Sequence, residues 1–217
     1  MRSGRQKTKK PNTNRTNNRK IAHKKDHFED QLNEPLSSSH PSKKRVRIKI
    51  VTIGPQQSGK TCLVKRFFGA DFVSKYNPTI GVDFGSKSVS TGNPCLDVHM
   101  DLFDLSGNKI YFDIVNEFFQ EIDGVLVVFD VSSQDIASDL ENIMRRYNES
   151  GGKQHIPMIF CANQIDKRKK ISDETLRQLA AEHSLVYFET SAKTNYHIEE
   201  VFSCLIKKAL ARIPLGN

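Results

Sequence analysis

A glycine-rich loop sits where an extended run hands over to a helical one. Gly54-Pro-Gln-Gln-Ser-Gly59-Lys60-Thr61 follows the apolar and basic run Arg45 to Ile53 and opens a helical pattern reaching from Thr61 to Phe68. The order matters because phosphate binding needs all three parts: glycines that let backbone N–H groups close around the anion, a lysine, and the positive end of a helix. In this reading Gly54, Gln57, Ser58, Gly59, Lys60, Thr61 and Cys62 form the cradle. Lys60 reaches the β- and γ-phosphates, and the Thr61 hydroxyl ligates Mg²⁺. A nucleoside triphosphate is the expected ligand. The competing account, a glycine turn with a chance Lys-Thr, does not explain why strand, loop and helix occur in the required order.

Such a loop serves adenine and guanine nucleotides alike, so the base must be read elsewhere. Phe160-Cys-Ala-Asn163-Gln164-Ile-Asp166 ends one apolar run, and Phe188-Glu-Thr-Ser191-Ala192-Lys193 ends the next. The Asp166 carboxylate accepts from the N1–H and exocyclic amine of guanine, a pairing adenine cannot offer, and the Ala192 N–H donates to O6. Asn163, Gln164, Ser191 and Lys193 complete the expected base-binding set. Upstream, Tyr76-Asn-Pro-Thr79-Ile-Gly81 supplies a second hydroxyl for Mg²⁺, and Asp104-Leu-Ser-Gly107 follows the run Leu96 to Phe103. Asp104 joins Thr61 and Thr79 as metal ligands, while Thr79 and the Gly107 N–H sense the γ-phosphate. Each short motif is weak alone; five in this order specify GTP or GDP with Mg²⁺.

The organisation of the chain agrees. Short Val-, Ile- and Phe-rich runs near 46–53, 82–90, 95–103, 124–130, 156–161 and 185–189 alternate with amphipathic segments that begin after 60, 109, 134, 172 and 195. That alternation predicts an α/β fold with a mostly parallel six-stranded sheet and helices on both faces. All five motifs then gather at the carboxyl ends of strands, where ligands bind in such sheets.

Charge divides the 217 residues into two parts. Residues 1–46 carry 13 Lys+Arg against 4 Asp+Glu, a net of +9, whereas the remainder carries 20 against 21, a net of −1. Few large apolar residues occur in that front segment, so burial cannot offset the entropy of ordering it, and a disordered basic arm over 1–45 is expected. The nucleotide-binding domain is expected over 46–213, and 214–217 is a short tail without a cysteine. The arm suits nuclear import, an anionic membrane surface or nucleic acid, with a plain solvated linker as the alternative. No run of 18 apolar residues and no signal-peptide core occurs, so the expected setting is cytoplasmic, or nuclear through the arm. Arg2 excludes ordinary N-myristoylation, and Ile-Pro-Leu-Gly-Asn217 holds no cysteine for prenylation, so no lipid anchor is expected. Cys62, Cys95, Cys161 and Cys204 form no C-x-x-C pair and read as reduced thiols.

The five motifs together resemble the Ras superfamily of small GTPases, most closely its Rab branch. Thr79-Ile-Gly-Val-Asp-Phe84 resembles the Rab switch I signature, and Asp123-Gly-Val-Leu-Val-Val-Phe-Asp130-Val-Ser resembles the family's fourth strand. Phe72-Val-Ser-Lys-Tyr, Val115-Asn-Glu-Phe-Phe, Cys161-Ala-Asn and Tyr187-Phe-Glu-Thr-Ser-Ala are similar to the RJL group, Rab-like proteins related to those fused to a DnaJ domain. No His-Pro-Asp tripeptide of a J domain occurs. The resemblance covers roughly residues 46 to 212 and implies a P-loop small G-protein fold, GTP-dependent effectors, an exchange factor and a monomer. It places Phe72 where an aromatic stacks on guanine, with ordinary loop packing as the competing account. It also places Phe84, Phe103 and Phe118 where Rabs display an aromatic triad, with core burial as the competing account.

Three departures from the family pattern bear on turnover. Asn108 stands where a glutamine orients the attacking water, and Gln56 stands where glycine or another small residue leaves room for a catalytic side chain or an arginine finger. With Lys60, these two are the expected catalytic positions, and hydrolysis is expected to be slow. Gln164 replaces a lysine whose stem packs on the base, and the loss of charge and reach is expected to weaken nucleotide retention. Two function classes follow: a guanine-nucleotide switch with weak GTPase activity (GTP to GDP plus phosphate), or a pseudo-GTPase binding module that works through the basic arm on nucleic acid or anionic membrane.

Overall fold

The computed structural model describes residues 43–214; the basic arm over 1–45 and the tail over 214–217 lie almost wholly outside the described residues. Six strands form one sheet: β1 (Lys44–Ile53), β2 (Val82–Val89), β3 (Leu96–Leu105), β4 (Gly124–Asp130), β5 (Met158–Asn163) and β6 (Val186–Glu189). Their order is β2-β3-β1-β4-β5-β6, with β2 antiparallel to β3 and every other pairing parallel. Five helices connect them: α1 (Lys60–Phe67), α2 (Phe112–Asn116), α3 (Ile136–Glu149), α4 (Asp173–Glu182) and α5 (Ile198–Leu210).

The alternation of side chains along each strand explains why both faces need cover. Val46, Ile48 and Ile50 of β1, Leu126 and Val128 of β4, and Ile159 and Cys161 of β5 share one core with Leu63 and Phe67 of α1 and Val201, Phe202 and Leu205 of α5. Val51, Ile53, Val125, Val127, Phe129, Phe160 and Ala162 face the other way, against Val115 of α2, Leu140 and Ile143 of α3 and Leu176 of α4. Each large apolar side chain so buried contributes about 1.5–3 kcal/mol. The helices carry matching local signals. Ser172 caps α4 by accepting from Thr175 N at 3.2 Å, and α5 has Glu199 and Glu200 in its first turn and Lys207 and Lys208 in its last.

Two element boundaries differ from the sequence reading in ways that matter. β3 continues through Asp104 and Leu105 instead of ending at Phe103, so Asp104 is held by ladder pairing rather than by a loop. β5 starts at Met158, not 156, because Pro157 has no N–H to give the ladder. It ends on Asn163, which therefore projects from a fully paired strand.

Candidate nucleotide-binding site

The loop between β1 and α1 is shaped by two glycines. A Cβ on Gly54 would lie 2.2 Å from Val128 O, and one on Gly59, at φ 91°, would lie 2.3 Å from Asn163 Nδ2, so side chains are excluded at both. Asn163 Nδ2 donates to Ser58 O at 2.8 Å, and Asn163 Oδ1 accepts from Thr190 Oγ1 at 3.1 Å. The base-reading segment is thereby bolted to the phosphate loop across 105 residues of chain. Gln164 Nε2 makes a second tie, donating to Gln57 O at 2.8 Å. The expected loss of reach at Gln164 is corrected here: the carboxamide does span to the loop, because Gln57 and Gln164 both take left-handed backbone that brings them together.

Lys60 is buried at the start of α1, and its Nζ donates to Gly54 O at 3.0 Å and Pro55 O at 2.8 Å. Burial pushes its pKa down to about 8; Asp104 opposes that shift and the positive charge of Arg146 adds to it. A desolvated ammonium with neutral carbonyl partners and a second cation in its field suits a polyanion. Arg146 lies over the Phe112 ring at 3.6 Å, which places a guanidinium beside the segment after Gly107.

Residues from four segments meet beside the loop. Thr61 Oγ1 lies 2.9 Å from Thr79 Oγ1 and donates to Asp104 Oδ2, while Thr52 Oγ1 donates to Asp104 Oδ1 at 2.7 Å. Burial raises the Asp104 pKa, against the hydrogen bonds from Thr52 and Thr61 and the charge of Lys60. Two hydroxyls and a single carboxylate are the donor set of a hard cation that keeps several waters and takes other ligands from phosphate, which fits Mg²⁺. Among the described residues no cluster of three or more His, Cys, Asp or Glu side chains offers a different metal centre. Thr79 is held in place by its carbonyl, which accepts from Ser106 Oγ at 2.8 Å. Gly107 approaches so closely that a Cβ there would lie 2.6 Å from Gln56 N and from Gly54 O.

The Asn108 carboxamide has another task. Its Oδ1 accepts from Ile110 N at 3.2 Å and caps the short 3₁₀ turn Lys109–Tyr111. Gln56 is exposed on the rim of an open cavity of about 140 Å³ that Phe129, Ser132 and Asp139 also line.

In the base-reading region Ser191 Oγ donates to Asp166 Oδ1 at 2.6 Å and Lys193 Nζ stands 3.6 Å from Asp166 Oδ2, so the carboxylate is oriented from both sides. Ala192 is buried. Cys62 is half-buried in the first turn of α1, and Phe72 packs partly buried against the α1–α5 core. Phe84, Phe103 and Phe118 form a chain of ring contacts with centroids 5.1 Å apart at each step; Phe84 is 55% exposed and the other two are half-buried. Thr52, Thr190, Arg66 and Arg146 support the site without having stood out in the sequence. The mid-strand Thr52 had no flag at all, since its value comes from lying directly across the ladder from Asp104.

A phosphate loop, a hydroxyl–carboxylate cation set and a carboxylate aimed from the neighbouring strand end define a P-loop nucleotide-binding protein of the small G-protein type. Comparison with known proteins agrees: the Ras family model matches residues 49–211, and the chain belongs to the Ras family of small GTPases. It is similar to DnaJ homolog subfamily C member 27 of Rattus norvegicus, 34% identical over 175 residues, covering 78% of this chain and 61% of that protein. Proteins of the same name from Mus musculus and Homo sapiens are 34% and 32% identical, covering 73% and 72% of this chain and 60% and 59% of those proteins. The chain spans about three fifths of the length of the curated relatives it matches. No helix among the described residues is long and apolar enough to cross a membrane.

Proposed function

We propose that this chain is a guanine-nucleotide switch that binds GTP and GDP with Mg²⁺, hydrolyses GTP slowly, and presents its switch segments to effectors. One observation carries the reading. The hydroxyl of Thr79, from the loop before β2, lies 2.9 Å from that of Thr61, which itself bonds Asp104, and this supports a metal site that senses the γ-phosphate. Lys60, Thr61, Thr79 and Asp104 would hold the phosphates and Mg²⁺, and Asn163, Asp166, Ser191 and Ala192 the base. Mg²⁺, when bound, would supply charge neutralisation to the phosphates. This chain's residues do the rest: Lys60 brings a buried cation, Thr79 ties the switch loop to the site, and Asp166 selects the base.

Slow turnover follows from the same geometry. The Asn108 carboxamide is engaged in its cap, so the residue at the water-orienting position is one methylene short and already bonded. Among the large apolar residues exposed on the described surface, Val73, Tyr76, Ile80, Phe84, Ile110 and Ile114 fall in two segments, 73–84 and 110–114. Ile80 is 77% and Ile110 79% exposed, beside the residues that sense the γ-phosphate, and this supports effector contact and an exchange factor acting there. The domain limits belong to the proposal too: the expected start at 46 moves forward to Lys44, because Lys44 and Arg45 already pair with Leu96 and Asp97 of β3, and the expected end stays at 213.

The test is base specificity. GTP and GDP should bind far more tightly than ATP, and Asp166→Asn should shift preference toward xanthine nucleotides, because the amide donates to the xanthine oxygen. Comparable ATP and GTP affinities would overturn the reading. The segregation of +9 net charge into residues 1–46 favours a second reading, a module that binds anionic membrane or nucleic acid through the arm. That reading predicts phosphatidylserine-vesicle binding indifferent to the nucleotide, and effector capture with no GTP dependence.

A further inference from the structure

The Ser191-Ala192-Lys193 loop leaves β6 and runs toward α5, and its backbone is anchored from the far side of the site by α1. Arg66, in the last turn of α1, donates from Nε to Ala192 O at 2.8 Å and from Nη2 to Lys193 O at 3.4 Å. Its Nη1 donates to Ala70 O at 3.4 Å and stands 3.6 Å from the Asp71 carboxylate, just before Phe72. The side chain is mostly buried, and the adjacent Phe67 stacks on Phe202 of α5 with centroids 4.1 Å apart, so the base of the guanidinium is fixed. A planar fork with several donors can grip two successive carbonyls and a third strand of chain at once; an ammonium offers one point.

The consequence concerns direction. The carbonyl of Ala192 and its N–H flank one Cα, so holding the carbonyl limits the rotation that would swing the N–H away from a base. We propose that Arg66 is a positioning residue for recognition of the purine 6-oxo group, holding the Ala192 peptide from the helix that also carries Lys60 and Thr61. The inference rests on the guanine-nucleotide reading above and adds to it a residue that touches neither base nor phosphate. Base recognition and phosphate binding are then mechanically linked through one helix: Lys60 and Thr61 lie in the first turn of α1 at the phosphate end and Arg66 in its last turn at the base end.

The experiment measures dissociation constants of full-length wild type, Arg66→Ala and Arg66→Lys for three probes: GDP, 2-aminopurine riboside 5′-diphosphate, which lacks the 6-oxo group, and ADP. Arg66→Ala should weaken GDP by about tenfold or more, as expected for losing hydrogen bonds to a charged donor, while changing the 2-aminopurine nucleotide by less than about twofold. Arg66→Lys should recover little of the loss. Equal weakening of GDP and the 2-aminopurine nucleotide would assign Arg66 a general structural role and overturn the inference, as would unchanged GDP binding. If Arg66→Ala does not fold, Arg66→Gln carries the same comparison, since the ratio of the two affinities on one variant is insensitive to its stability. A wild type that binds ADP as tightly as GDP would instead bring down the guanine reading itself, an outcome that does not involve the Arg66 variants.

Discussion

Removing the Gln164 carboxamide is a direct test of how the base-reading segment holds the phosphate loop. Gln164 Nε2 donates to Gln57 O at 2.8 Å, and the two residues have φ of 64° and 62°. Left-handed backbone at a non-glycine residue costs about 1 kcal/mol each, so both segments would relax if released from one another. The exposed bond itself nets about 0.5–1.5 kcal/mol. Gln164→Ala should therefore loosen the loop by about 1 kcal/mol, and since about 1.4 kcal/mol is tenfold, GDP release should speed up by about fivefold. The measurement is displacement of a fluorescent GDP analogue by excess GDP at fixed Mg²⁺. Gln164→Lys should stay within about twofold of wild type, because an ammonium can donate to the same carbonyl, and Gln164→Glu should behave like alanine, because a carboxylate cannot donate. A Gln164→Glu rate equal to wild type would refute the reasoning, since no donated bond would then be involved.

Single-turnover GTP hydrolysis should run at or below about 10⁻⁴ s⁻¹. On the proposed reading, in which Asn108 and Gln56 act on one water, Asn108→Gln alone should help little, and the double change with Gln56→Gly should exceed the sum of the singles; a fast wild type or additive effects would show that another residue orients the water. Among the cysteines, Cys95 is exposed whereas burial pushes Cys161 up to about 12. At pH 8 the Cys161 thiolate fraction is then roughly one in ten thousand. Iodoacetamide followed by mass spectrometry should mark Cys95 first and leave Cys161 unmodified until the protein unfolds, and early modification of Cys161 would mean that the α1–α5 core opens.

Much of the fold could be read along the chain because its causes are local or periodic. Doubly buried strands such as β4 need a continuous apolar run, here Val125 to Phe129, that few other elements share, and glycines at 54 and 59 answer steric demands that no side chain meets. The motifs at Lys60, Thr79, Asp104, Asp166 and Ala192 stand out along the chain for the same reason: each is a short stretch whose expected chemistry needs those residue types in that order. What the sequence alone determined, then, was the alternation of strand and helix and the order in which the motif segments follow one another.

The tertiary structure decided the rest, because it depends on which atoms from distant segments come within bonding distance. Thr52 matters only because parallel register sets it opposite Asp104, 52 residues away. Arg66 stands out only in the folded chain, where it donates to carbonyls 126 and 127 residues along, beside the stack of Phe67 on Phe202. Gln164 keeps a tie that its shorter, uncharged side chain argued against, because a left-handed turn at both ends closes the gap. Asn108 is taken up by its own cap, a bond that requires the backbone to turn at Lys109. Residue type states which bonds a side chain is able to make; register, backbone handedness and packing decide which of them it makes.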